Sequence, residues 1–360
     1  MHPDVEQAPV PGTHPAHFLL GLTLEDGWKV LSRDGTEGGF SVGYLVQHPD
    51  GRLAFLKAVD LSSAFQELNM MVALQDIAER HNFEVALLET CRHMSRVVSA
   101  VTHGQIRVEG ASVPVPYIIL ERADADVRAH LASHTYDAAW ILRCLHHITV
   151  GVRQLHSARF AHNDLKPANV LVFSELGTKV GDLGKAVDEV GRSPFTGENF
   201  PGDYQYAPPE VLYLEHQPDL WLHRLRCDLY QLGGLTTFLF TQRHFNDFLY
   251  GALEPSLRPA PLNGMVMGNF SGSLPYLLEA FDEALNQISS SLSSCLPAKL
   301  VGPVLRSIQE LCFPDPVRRG EARNASGRPM VNLEGYVSLY NRLAVEAELE
   351  LKRQQRPDHQ

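Results

Sequence analysis

Nowhere does this chain run apolar for long enough to cross a bilayer, and its first residues (MHPDVEQAPVPGTHPAHF) lack the cationic start and apolar centre of a secretory signal. Neither export nor membrane insertion is expected, so the expected location is cytoplasmic. Cysteine is scarce: Cys91, Cys144, Cys227, Cys295 and Cys312 are scattered with no CxxC pair, and they read as reduced thiols. The 17 histidines come without an HExxH or a Cys/His cluster of zinc spacing, so no zinc centre is expected. A basic excess is also missing. With a formal net charge of −11, the chain is a poor partner for nucleic acid or an anionic membrane, both of which call for a positive face.

What is present is a large apolar fraction, 44% of 360 residues, enough for a sizeable core and for two lobes rather than one small module. Residues 1–25 open on a Pro- and His-rich stretch without periodicity and read as an extension. Two apolar runs, 44–47 and 53–60, flank His48, Pro49, Asp50 and Gly51, whose turn chemistry predicts a β-hairpin. Helices are expected over 62–80 and 83–93, then short strands over 97–101, 105–108 and 117–120. From Asp137 onward the pattern is helical, with Trp140, Leu142, Leu145, Ile148, Val152 and Leu155 on one stripe. Residues 228–240 read as a buried helix, 255–275 as an irregular insertion, 289–297 as a loop or helix end, and 333–353 as a mixed-charge helix. A strand-rich front third joined to a helix-rich remainder predicts an α+β chain of two lobes, with the crossing near residues 121–126.

The chemistry concentrates in HNDLKPANVLV, residues 162–172, and in GDLGKA, residues 181–186. Together they hold a candidate proton acceptor (Asp164), a cation (Lys166) and two hard oxygen ligands (Asn169, Asp182). Pro167 prevents a helix from running through the motif, and the residues after Asn169 are β-like, so a loop leading into a strand is predicted. Transfer of a phosphoryl group from a Mg-nucleotide needs such a set, because phosphate and metal charge must be held in line with an attacking oxygen. The acidic net charge does not oppose this, since a nucleotide site needs only a few local cations and a metal.

At these residues the chain resembles a protein kinase, whose catalytic loop reads His-Arg-Asp-Leu-Lys-Pro-x-Asn and whose metal turn reads Asp-Phe-Gly. The resemblance covers about residues 30–320, in order. It implies a bilobal protein-kinase-like fold with a small β-rich N-lobe (26–121), a larger helical C-lobe (122–345), an extension (1–25) and a tail (346–360). It implies ATP and Mg²⁺, with Asp164 receiving or orienting the proton of a substrate hydroxyl and Lys166 neutralising the γ-phosphate. Asn169 and Asp182 would hold the metal. Lys57, in AFLKAV, would reach the α- and β-phosphates. It alternates poorly with Phe55, Leu56 and Val59, as if buried by a ligand site. Its carboxylate partner would be Glu84, which shares a helical face with Leu87, Leu88 and Cys91; Glu67 competes from the preceding segment. Gly38, Gly39 and Gly43 would cover the phosphates. Leu120 would gate the adenine site, and the backbone of Glu121 to Ala123 would bind the adenine edge. Glu210, Asp228 and Arg319 resemble residues that stabilise this fold.

Three departures matter. Asn163 replaces the catalytic-loop arginine that usually pairs with a phosphate on the activation loop, so activity without such phosphorylation is expected. Asp203 stands where a Thr commonly contacts the catalytic Asp; a carboxylate there would repel Asp164, so either it points away or substrate docking differs. Leu183 replaces the Phe of the metal turn and keeps an apolar plug. The expected activity is phosphoryl transfer to Ser or Thr hydroxyls of a protein substrate, with room for a regulatory partner. A small-molecule phosphotransferase and a pseudokinase scaffold are the alternatives.

Overall fold

Gly51 adopts a φ of +92°, which a side chain would disfavour, and its N–H bonds to His48 O at 2.9 Å in the turn between the paired strands Ser41–Gln47 and Leu53–Val59. The computed structural model describes residues 14–34, 41–111, 113–133, 137–215, 217–259, 269–323 and 329–354. The chain clusters into two units, Met1–Met94 with Val98–Ala123, and Ser95–Val97 with Asp124–Gln360.

In the first unit, β1 (Lys29–Arg33), β2 (Ser41–Gln47), β3 (Leu53–Val59), β4 (Ala100–Ile106) and β5 (Val115–Glu121) form one sheet in the order β1-β2-β3-β5-β4. All neighbours are antiparallel. Period-two patterning drives it: Val42, Tyr44, Val46, Ala54, Leu56, Ala58, Tyr117 and Ile119 are buried in one cluster. Lys57 alternates regularly with buried Leu56 and Ala58, contrary to expectation; apolar Phe55 and Val59 had masked the period. The sheet's core also takes in Ala16 and Leu19, and Tyr44 Oη donates to Ala16 O at 2.7 Å. Residues 14–25 are therefore packed into this unit, although their lack of periodicity suggested an extension.

A single helix, α1 (Met70–Cys91), replaces the two expected over 62–80 and 83–93. Nothing between Arg80 and Phe83 breaks a helix, and the segment before Asn69 forms only a short turn, Ala64–Gln66. Asn69 caps α1, accepting from Val72 N–H. The strands expected over 97–101 and 105–108 are one strand, β4, with an irregularity between Ala100 and Thr102.

The second unit opens with β6 (Ala125–Asp126), α2 (Val127–Ser133) and α3 (Ala138–Ser157). Asp137 caps α3 by accepting from Trp140 N–H at 2.9 Å, and Leu142, Leu145, Ile148, Val152 and Leu155 are all fully buried along its stripe. Next come β7 (Phe160–Ala161), β8 (Val170–Phe173), β9 (Gly177–Val180) and β10 (Val187–Asp188). β6, β8 and β9 form one small sheet, and β7 pairs with β10. The remainder is α4 (Pro209–Leu212), α5 (Leu220–Thr241), α6 (Phe245–Ala252), α7 (Phe270–Cys295), α8 (Ala298–Leu311), β11 (Glu321–Arg323), β12 (Pro329–Val331) and α9 (Glu334–Gln354).

Helix α7 already starts at Phe270, inside the stretch read as an irregular insertion, and continues through the serine run to Cys295, so of the two readings of 289–297 the structure has the helix end. The hydroxyls of Ser290, Ser291 and Ser293 donate to carbonyls four residues back, which satisfies them without leaving the helix. Helix α9 lies against α3 through Arg143 to Glu348 and Arg153 to Glu334. Ala347 is buried in the same core as α3, so the helical unit includes residues read as a tail from 346 on. Among the described residues, no helix is long and apolar enough to cross a membrane.

Candidate active site

The first unit supplies a half-buried ion pair. Strand β3 directs Lys57 to the sheet face opposite the Leu56 cluster, and α1 brings Glu84 to it: Lys57 Nζ lies 2.8 Å from Glu84 Oε1 and 3.1 Å from Oε2. Glu84 is buried, and Glu67 lies outside α1 at the end of the Ala64–Gln66 turn. The structure therefore pairs Lys57 with Glu84. His81, which sequence reasoning missed, is one turn before Glu84; burial, then Lys57 and His103, push its imidazole down to about 4. It stays neutral at pH 7 beside the pair.

Gly43 stands opposite Lys57 in the β2–β3 register. A Cβ there would approach Asp34 O to 2.2 Å, so close main-chain packing already demands a glycine. Gly38 and Gly39 lie outside the described residues. Glu121 ends β5; its N–H donates to Ser99 O at 3.1 Å, and its carboxylate accepts from Ser99 N–H at 2.8 Å. That amide is occupied within the unit, and Ala123, two residues on, is half-buried.

The second unit holds the catalytic-loop candidates between β7 and β8. Helix α5 fixes this loop through its backbone: Asp228 accepts from His162 N–H at 2.8 Å and from Asn163 N–H at 2.6 Å, and Gln231 Oε1 accepts from Leu165 N–H at 3.0 Å. Gln231 Nε2 returns a bond to Asn163 O at 3.1 Å. Gln231 carries no motif signal; only its spacing of three from Asp228, on one helix face, could have suggested it. Asn163 has a φ of +60°, a conformation Asn tolerates better than most residues. Its buried side-chain amide has no hydrogen-bond partner among the described residues, while its N–H and carbonyl are both bonded to α5 side chains. His162 accepts from Asp164 N–H at Nδ1 (3.2 Å) and donates from Nε2 to Gly181 O (3.0 Å). The two bonds set the tautomer and join the loop to the metal turn.

Around Asp164 the polar groups converge. Asp203 N–H donates to Asp164 Oδ1 at 2.9 Å, Asn169 Nδ2 donates to Oδ2 at 3.0 Å, and Lys166 Nζ sits 3.2 Å from Oδ2. Lys166 Nζ is also 3.3 Å from Asp203 Oδ2. The Asp203 carboxylate thus turns to the lysine while its amide serves Asp164, and the repulsion anticipated from sequence is resolved. Burial raises the Asp164 carboxyl above its ordinary range and Asp182 adds to the rise, while Lys166 and the Asp203 amide oppose it. Burial pulls the Lys166 ammonium down, but Asp164 and Asp203 outweigh it and leave it raised.

Asp182 follows β9 with a φ of 53° and is solvent-exposed, above a fully buried Leu183. Asn169 uses its nitrogen toward Asp164 O (2.8 Å) and Oδ2, and neither bond uses Oδ1. A carboxylate and an amide oxygen in one unit are a donor set that suits a hard divalent cation. Away from the loop, Arg319 makes a bidentate pair with Glu210 at 2.7 and 2.8 Å, both fully buried.

Residues 35–247 match the protein kinase domain. The chain is 27% identical over 177 residues to mitogen-activated protein kinase homolog 1 of Petunia hybrida, covering 47% of this chain and 45% of the relative. It is 26% identical over 218 residues to a serine/threonine-protein kinase of Coccidioides immitis (57% and 41%), and 38% identical over 82 residues to the interferon-induced, double-stranded RNA-activated protein kinase of Mus musculus (22% and 15%). In each case the chain spans less than half of the relative's own length. The domain match takes in more than half of the chain and both motif-bearing loops, and on that ground the chain belongs to the eukaryotic-type protein kinase superfamily.

Proposed function

We propose that this protein transfers the γ-phosphoryl group of Mg-ATP to Ser or Thr hydroxyls of a protein substrate. The observation that carries the reading is Asp164 held at both oxygens, by the Asp203 amide on one side and by Asn169 and Lys166 on the other. A carboxylate so oriented, and more basic than free aspartate because it is buried, is fitted to take the proton of an acceptor hydroxyl. Lys166, held between two carboxylates, keeps its charge for the transferring group. Lys57, braced by Glu84, would bind the α- and β-phosphates, and Asn169 Oδ1 and Asp182 would hold Mg²⁺. The metal, when bound, neutralises charge on the phosphate oxygens. The Glu121 carbonyl and the Ala123 backbone would take the adenine edge, and Gly38, Gly39 and Gly43 would cover the phosphates. We assign the acceptor to proteins because the Lys166-Pro167 pair favours Ser/Thr kinases over the small-molecule relatives. A cytoplasmic setting and a regulatory partner belong to the same reading.

The test is incubation with labelled ATP and Mg²⁺, alone and with a cell extract, beside Asp164→Asn and Asp182→Asn. Loss of the proton acceptor is expected to lower the rate by about 10²- to 10⁴-fold, and loss of the metal ligand by at least as much. Equal labelling by all three proteins would refute the assignment. Label on a metabolite and on no protein would move it to a small-molecule phosphotransferase.

A further inference from the structure

Helix α5 carries three polar side chains on one face, Arg224, Asp228 and Gln231, at spacings of four and three. All are essentially without solvent exposure. Asp228 and Gln231 hold the catalytic loop, but Arg224 reaches a different segment. Its Nη1 donates to Asn199 O at 2.9 Å, and its Nη2 donates to Phe195 O at 3.3 Å and to Glu198 O. A planar guanidinium with a fork of donors is suited to gathering converging carbonyls, and a lysine at the same place is not.

The gathered carbonyls lie in the stretch between the metal turn and Asp203. The other end of that stretch is closed by Asp188, which accepts from Arg192 and Ser193 N–H at 2.8 and 2.9 Å. Beyond Asn199 the chain runs tight against the catalytic loop: a Cβ on Gly202 would stand 2.0 Å from Asn163 O. The next residue is Asp203, whose amide orients Asp164. The segment's two hydroxyls are engaged, Ser193 Oγ with Ala186 O at 2.9 Å and Thr196 Oγ1 with Ser193 O at 2.7 Å. The neutral Asn163 offers no charge to a phosphate.

We propose that Arg224 is a positioning residue for phosphoryl transfer: by drawing together the carbonyls of Phe195, Glu198 and Asn199 it holds this segment in its ordered conformation, so that no phosphate on the segment is needed. The inference rests on the proposed kinase function. One rigid helix then sets both the loop that carries Asp164 and the segment that aims it.

Arg224→Met keeps the buried stem and removes the fork, and Arg224→Lys keeps the charge with a single donor point. In hydrogen exchange on the full-length protein, Arg224→Met is expected to speed exchange over residues 195–203 by about tenfold or more, with residues 229–239 of α5 unchanged within about twofold. Its kcat should fall by about 10²-fold with KM for ATP held within about twofold, because none of the groups assigned to nucleotide is touched. Arg224→Lys should fall between, and phosphatase treatment should leave the wild-type rate intact. Exchange unchanged at 195–203, exchange raised equally through α5, a loss confined to KM, or loss of wild-type activity on dephosphorylation would each overturn the proposal. If Arg224→Met does not fold, the same readouts on Arg224→Lys decide it. A wild-type protein that labels nothing would sink the kinase reading alone, while the exchange result still judges the anchor.

Discussion

Burial, offset only in part by Glu210, pushes the imidazole of His223 down to about 4. In the unfolded chain the same group titrates near 6.5. Between those values the unfolded state binds a proton that the native state does not, so stability falls as the pH drops through that window, by up to about 1.4 kcal/mol per pH unit for this one group. Denaturant titrations at pH 7, 6 and 5 should show the midpoint falling, and His223→Asn should flatten the slope by up to one proton. An unchanged slope would mean that the acid sensitivity lies elsewhere. The Glu210 and Arg319 pair behaves differently, because removing one partner strands the other as an unpaired buried charge. Arg319→Met is expected to cost about 3–5 kcal/mol in the same titrations, and a loss below about 1 kcal/mol would show that the carboxyl finds another partner or a proton. Lys57→Met should raise KM for ATP by about tenfold or more, and Lys57→Arg should not restore it, because a planar fork engages both oxygens of Glu84 and cannot present to phosphate the compact, rotatable point charge of the ammonium.

Among the elements, α5 organises the site, and its contribution shows where sequence reading succeeds and stops. HNDLKPANVLV was legible because its chemistry is local: Pro167 ends any helix, and four functional groups fall within twenty-one residues with GDLGKA. The hairpin was legible from its turn, and Glu84 from its shared face with Leu87 and Cys91. By contrast, the orientation of Asp203 depends on Lys166, thirty-seven positions earlier in the chain, and no pattern within either segment encodes it. The roles of Arg224 and Gln231 depend on which carbonyls and amides the fold delivers to them. Backbone partners leave no residue type to recognise. α1 was misread for a related reason: its first half is largely exposed while only Glu84, Leu87, Leu88 and Cys91 are buried, so its amphipathic signal changes midway and looks like two helices. Asp228→Asn tests the element directly. It weakens the acceptor for two loop amides and for His156 Nε2 at 2.8 Å, and it should lower kcat by about tenfold or more along with stability. A kcat that survives while stability falls would show that the loop holds its shape without α5.

At the scale of the molecule, two of the hydrophobic clusters among the described residues lie in separate stretches of sequence. One is built on the five-stranded sheet, from Ala16 to Ile119, and the other runs from Val127 to Ala347 and is mostly helical. Cores that share no side chains can be lost at different denaturant concentrations. Trp28, 3% exposed, reports on the first cluster, while Trp140 and Trp221 belong to the second unit. In a Trp140→Phe, Trp221→Phe protein, the fluorescence transition of Trp28 and the far-UV circular dichroism transition should not coincide; coincident curves would show one cooperative unit. The close approach at Gly202 has a further consequence, for sequence drift. Any side chain at that position must displace the Asn163 carbonyl, which Gln231 already holds. Positions 163, 202 and 231 therefore cannot wander independently, and relatives that carry a larger residue at 202 should carry compensating changes at the other two.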